Sequence, residues 1–121
     1  MLQIITDWLL NNLPPGNDLY HDLTTAGAKH VSDLFKNLRP DIAVRTNSEL
    51  LILELTICHE TNFISSRNYT LDKYKNIQNN RTELSKHLPT TVYTCEVSTL
   101  GFLQIDGNFI SKCGLHYPNG N

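Results

Sequence analysis

Residues 50–57, Leu-Leu-Ile-Leu-Glu-Leu-Thr-Ile, constrain this chain more than any other stretch. The run is almost continuously apolar, too short to cross a membrane, and dominated by side chains that suit a pleated surface. Such runs belong to strands covered on both faces, in the middle of a sheet. Residues 41–45, Asp-Ile-Ala-Val-Arg, read as a second strand, joined to the first by the tight polar turn Thr46-Asn47-Ser48-Glu49. An interior strand needs a layer on each side, so the rest of the chain must supply helices.

It does so at both ends of this hairpin. Residues 2–13 set Ile4, Ile5, Trp8, Leu9 and Asn12 at helical spacing and stop at Pro14-Pro15-Gly16, which predicts an amphipathic helix anchored to the sheet by Trp8. Residues 18–23 read as a short extended piece, and residues 29–38 as one or two helical turns. From residue 64 to residue 88 the period is helical, with Leu71, Tyr74, Ile77, Leu84 and Leu88 in one stripe, until Pro89 breaks it. Residues 90–99 are rich in β-branched side chains and read as a further strand, while the Gly/Asn-rich tail 117–121 reads as frayed. The predicted order is α-β-β-β-α-β, an α/β fold with a mixed sheet flanked by helices, in a single domain spanning residues 1–121.

Composition narrows the classes of function. The chain is 40% hydrophobic and 18% charged, which is globular, and its formal net charge of −2 gives no overall attraction to nucleic acid. Cys58, Cys95 and Cys113 are odd in number, widely spaced and without a CxxC pair, so reduced, buried thiols are expected, not a disulfide framework or a zinc ribbon. His59 adjoins Cys58, but no second His/Cys cluster stands at zinc spacing, and His21, His30, His87 and His116 are scattered. No apolar run approaches the roughly 18–20 residues of a membrane helix, and the first residues carry Asp7 without a basic flank. The expectation is a protein with no membrane partner and an intracellular, nuclear or cytoplasmic, location.

Glu54 is the residue out of place. Its neighbours predict burial on both faces, where an ionised carboxylate is costly unless a cation or hydrogen-bond donors compensate it. Strand alternation puts Glu54 and Thr56 on one face and Leu53 and Leu55 on the other. Asp41 opens the preceding strand just after Pro40, and the short turn can bring Asp41 and Glu54 side by side. Two carboxylates converging there make a hard, oxygen-rich site suited to Mg²⁺ or Mn²⁺. The competing reading pairs Glu54 with a buried Lys or Arg, or leaves it facing solvent on an uncovered sheet.

Arg39-Pro40-Asp41, then Glu54, then Lys73-Tyr74 resembles the pattern of the PD-(D/E)XK nuclease superfamily, and more narrowly the restriction-like endonuclease domain of non-LTR retrotransposons. Glu54-Leu55-Thr56 followed by Glu60-Thr61-Asn62, Leu71-Asp72-Lys73-Tyr74, and Glu96-Val97 with Gly101-Phe102 extend the resemblance over about residues 19–102. It implies a restriction-endonuclease-like α-β-β-β-α-β core and a DNA endonuclease, with Asp41, Glu54 and the backbone carbonyl of Leu55 as metal ligands. The family's lysine normally lies two residues after the acid, where this chain has Thr56; in members that move it to the following helix, Lys73 is the counterpart. Related sequences often carry another basic residue three positions earlier, where this chain has Thr70. The resemblance therefore leaves open a catalytically degraded DNA-binding or assembly module of the same fold, and a homodimeric junction-resolving nuclease. It also leaves open membership of a larger retrotransposon polyprotein.

Around that centre, Glu60 and Asp22 are candidate auxiliary acids, each with a plain reading as a loop carboxylate. Lys73 has its own plain reading as a solvated charge on a helix flank. Arg39, Arg45, Arg67 and Lys75 are candidate contacts to DNA phosphates, within two basic-leaning regions that acidic residues interrupt.

Overall fold

The computed structural model describes residues 2–22, 28–58, 72–75, 77–98 and 103–115. Helix α1 (Leu2–Asn12) leads into strands β1 (Asp18–His21), β2 (Lys29–His30), β3 (Ile42–Arg45), β4 (Leu50–Cys58), β5 (Thr90–Ser98) and β6 (Leu103–Ile105), and helix α2 (Gly107–Lys112) follows. The six strands form one mixed sheet in the order β2-β1-β3-β4-β5-β6. β1, β3 and β4 form an antiparallel meander, and β4 then runs parallel to β5 after the crossover of residues 59–89. β6 closes one edge antiparallel to β5, and β2 the other edge parallel to β1. Among the described residues, no helix is long and apolar enough to cross a membrane.

The apolar run behaves as its composition demands. β4 lies inside the sheet, and Leu50, Leu51, Ile52 and Leu53 are fully buried. The turn before it closes when the Thr46 amide donates to the Glu49 carbonyl at 2.9 Å, while the Thr46 hydroxyl accepts from the Glu49 amide at 3.1 Å.

Alternation along the strands divides the interior into two cores. Ile42, Val44, Leu51, Leu53, Tyr93, Cys95 and Val97 point to the face covered by α1 and α2, where they meet Ile5, Leu9, Phe109, Ile110 and Cys113. Phe109 sets its ring edge-on to Tyr93, centroids 5.8 Å apart. Tyr20, Ala43, Leu50 and Ile52 point to the other face, with Val31, Leu34, Phe35 and Tyr74 packed over them.

α1 agrees with its predicted span, but the anchor differs: Ile5 and Leu9 are buried, Trp8 is half-buried against the same core, and Ile4 is 67% exposed. In the 29–38 region the chain forms β2 and a single 3-10 turn, Val31–Asp33. The continuous helix expected up to residue 88 is corrected for its described part. Residues 72–73 are helical, Ile77–Asn80 is a 3-10 turn, and residues 83–87 form turns. Leu84, placed on the apolar stripe, is 42% exposed.

The reason lies in the polar side chains of that stretch, which find tertiary partners in place of helical ones. The Asn80 carbonyl accepts from the Lys36 amide at 2.7 Å, and its side chain accepts from the Asn37 amide at 2.9 Å. The Thr82 hydroxyl donates to the Asp33 carbonyl at 2.6 Å, and the Ser85 hydroxyl to the Leu34 carbonyl at 2.6 Å. Arg81 is buried and donates to the carbonyls of Ser85 and Leu88, closing the turn. Among the described residues, one face of the sheet is thus covered by α1 and α2, and the other by 3-10 turns, the helical residues 72–73 and irregular segments.

Candidate metal centre

The β3–β4 ladder ends at Ile42↔Leu53, and one step further along the two strands come Asp41 and Glu54. Both therefore stand on the face that carries Ala43 and Ile52, adjacent, where β3 has finished and β4 continues alongside β5 alone. Asp41 lies just before the start of β3, and Glu54 lies in the body of β4, at the point where its partner strand stops. The Leu55 amide faces past the end of β3 and donates to Asp41 Oδ2 at 2.8 Å in place of a ladder bond. A strand residue projects its N–H and C=O to the same edge, so the Leu55 carbonyl is directed to the Asp41 side as well.

Glu54 is 5% exposed. Lys73 Nζ donates to its Oε1 at 2.6 Å, and the Tyr74 hydroxyl donates to the same oxygen. Burial first, then a side-chain hydrogen bond with Asp41 and that acid's charge, raise the Glu54 carboxyl to about 7 against the lowering effect of Lys73 and Tyr74. The Tyr74 hydroxyl is itself pushed far up, first by burial and then by the charge of Glu54. The compensation expected for a buried acid is therefore present, but it comes from the candidate site lysine, whose side chain is 36% exposed, and not from an internal Arg.

Asp22 follows the last residue of β1, one step beyond His21↔Ile42, so it continues the same row past Asp41. His30 Nε2 lies 3.0 Å from the Asp22 carbonyl and fixes that end of β1. In the other direction Glu54 stands beside Thr94 and Thr56 beside Glu96 in the parallel register. Glu96 is 3% exposed and accepts from the Thr94 hydroxyl at 3.1 Å. Glu60 and Arg67 lie outside the described residues, as do Thr70 and the tail, and the Thr56 side chain is likewise outside them.

The basic candidates separate by position. Arg39 is exposed two residues before Asp41, and Lys75, exposed two residues after Lys73, pairs with Asp72 at 3.3 Å. Arg45 sits at the opposite end of β3, about 13 Å from Asp41 along a strand of this length, and lies 3.9 Å from Asp18. It does not flank the centre.

Among the described residues, no three His, Cys, Asp or Glu side chains converge closely enough to hold a metal ion. Two carboxylates remain, and they fit one. Mg²⁺ is commonly held by one or two carboxylates, with water and substrate phosphates completing the shell. Lys73 balances one of the two adjacent carboxylates, and a divalent cation would balance the other. Asp41, Glu54 and the Leu55 carbonyl supply only hard oxygen donors, which suits Mg²⁺ or Mn²⁺.

Tyr74 and Glu96 were not read from the sequence as site residues. Tyr74 was placed in the core by its stripe spacing, which is where its ring lies. The available signal was its hydroxyl, because a buried tyrosine needs a polar partner. For Glu96 the signal was a charged residue at an alternating position of a buried strand. No family model matches the chain, and no curated protein or solved structure matches it either.

Proposed function

We propose that this chain is a metal-dependent DNA endonuclease domain with a restriction-endonuclease-like core, similar to the domain carried by non-LTR retrotransposons. One observation carries the reading: Asp41, Glu54 and Lys73, distant in sequence, meet on one face of a buried sheet, with the lysine on the acid. The order of helix, antiparallel three-strand meander, crossover and parallel strand supports the fold named in it.

Bound Mg²⁺ or Mn²⁺ would polarise the scissile phosphodiester and lower the pKa of an attacking water. The chain's own residues do the rest. The Leu55 amide orients Asp41 beside Glu54, where the two acids would ligate the cation together. Glu54 shares the negative charge with Asp41 and faces the open end of β3. Lys73 brings a positive charge beside the acids, where the phosphate of a substrate would accumulate charge in the transition state. Arg39 and Lys75, exposed and two residues from Asp41 and Lys73, would hold flanking phosphates.

The test is nicking of supercoiled DNA by the purified chain with Mg²⁺ or Mn²⁺. Asp41→Ala and Glu54→Ala should each abolish nicking while the melting curve stays cooperative. Nicking that persists in both variants would reject the assignment. Affinity for DNA in EDTA, without turnover when metal is added, would identify a binding module instead, and preference for four-way junctions a resolving enzyme.

A further inference from the structure

Two neighbouring side chains, Lys73 and Tyr74, donate to a single oxygen of Glu54. They are not equivalent donors. The Lys73 ammonium ends a flexible stem that is 36% exposed, whereas Tyr74 is 4% exposed and its ring belongs to the second core. A side chain with two rotatable bonds, locked by packing, holds its hydroxyl in one place; an exposed lysine does not. Among the described residues, both donors fall on Oε1, which leaves Oε2 as the oxygen through which Glu54 can share a cation with Asp41.

We infer that Tyr74 is a positioning residue of the metal centre: its hydroxyl pins Oε1 so that Oε2 faces the cation, whatever the lysine does. Labour is then divided within one dipeptide. Tyr74 fixes the geometry of a ligand, and Lys73 is free to leave Glu54 for the phosphate of a bound substrate without the carboxylate turning. The inference rests on the metal-centre reading above and goes beyond it by separating the two donors.

Tyr74→Phe deletes the hydroxyl and keeps the ring in the core, so the fold should survive. Mn²⁺ affinity is measured without DNA, from the electron paramagnetic resonance signal of the free ion, alongside nicking over a range of Mn²⁺ concentrations. Removing a group that orients a ligand weakens metal affinity by roughly 10–100-fold. Tyr74→Phe should therefore bind Mn²⁺ about tenfold or more weakly and regain most of its nicking at saturating Mn²⁺. Lys73→Gln should show the reverse, with Mn²⁺ affinity little changed and nicking lost at every concentration.

Unchanged Mn²⁺ affinity in Tyr74→Phe overturns the inference, as does nicking that Mn²⁺ cannot restore. Loss of the folded state on deleting the hydroxyl alone also overturns it, since the group would then serve structure. Asp41→Ala tells the two readings apart: if that variant binds Mn²⁺ like the unaltered chain, the metal centre itself is wrong, not merely the part given to Tyr74.

Discussion

The two faces of the sheet are built from alternate residues of the same strands, yet they bury different chemistry. Under the helices lie Leu51, Leu53, Tyr93, Cys95 and Val97, packed on Phe109, Ile110 and Leu9. On the other face the same strands present Glu54 and Glu96, the first met by Tyr74, and Arg81 and Ser85 are buried in the segment that follows. Helices satisfy their own backbones and offer a neighbouring sheet mainly side chains, which suits an apolar layer. On the other face Lys73 and Tyr74 reach Glu54 with side-chain donors, so the buried carboxylates lie where such partners are at hand, while the helix-covered face buries the polar side chains of Thr6 and His21. The period-two alternation of β4 and β5 lets one strand pair serve stability on one side and a charged centre on the other.

If that division holds, substitutions on the two faces should fail in different ways. Phe109→Ala should cost the most stability, roughly 3–5 kcal/mol, seen as a fall in denaturant midpoint, while the Mn²⁺ affinity of the molecules that remain folded is unchanged. A loss of metal binding in step with stability would collapse the distinction between the faces.

Glu54→Gln should act oppositely, removing metal binding while adding stability at neutral and higher pH. The folded-state pKa of Glu54 is raised, so the native state holds a proton that the unfolded chain releases. Its contribution to stability is complete below about pH 4.5 and is lost as pH rises towards about 7. Urea titrations of the unaltered chain should thus lose on the order of 3 kcal/mol across that window from this group alone. Glu54→Gln should flatten that slope, and an unchanged slope would place the strain elsewhere.

The thiols give a finer contrast. Burial, with a further rise from the charge of Glu96, pushes the Cys95 thiol up to about 12, and burial, with a further rise from the charge of Glu49, does the same for Cys113. In a Cys58→Ser background, both should resist an aromatic disulfide reagent at pH 8 until denaturant is added. Rapid labelling of either one would mean that the helix-covered face opens readily. The smallest effect should come from Ile4→Ser on the outer side of α1, within about 0.5 kcal/mol, because that side chain is already largely in water.

Much of this arrangement was legible before any coordinates. The run of residues 50–57 determined an interior strand, and the short Thr46–Glu49 turn determined its hairpin with β3, which can bring Asp41 and Glu54 side by side. These features depend on neighbours in sequence, and the period of a strand does not change with what packs on it. The roof over the site was not legible in the same way. Residues 72–88 carry a helical stripe, but the polar side chains of Asn80, Thr82 and Ser85 bond to residues 33–37 instead, contacts more than forty positions away in sequence. Helix α2 and strands β2 and β6 are too short to show a period. The joint grip of Lys73 and Tyr74 on Glu54 was likewise decided only by the fold, since a local pattern can say which side chains must be buried but not which distant partner will satisfy them.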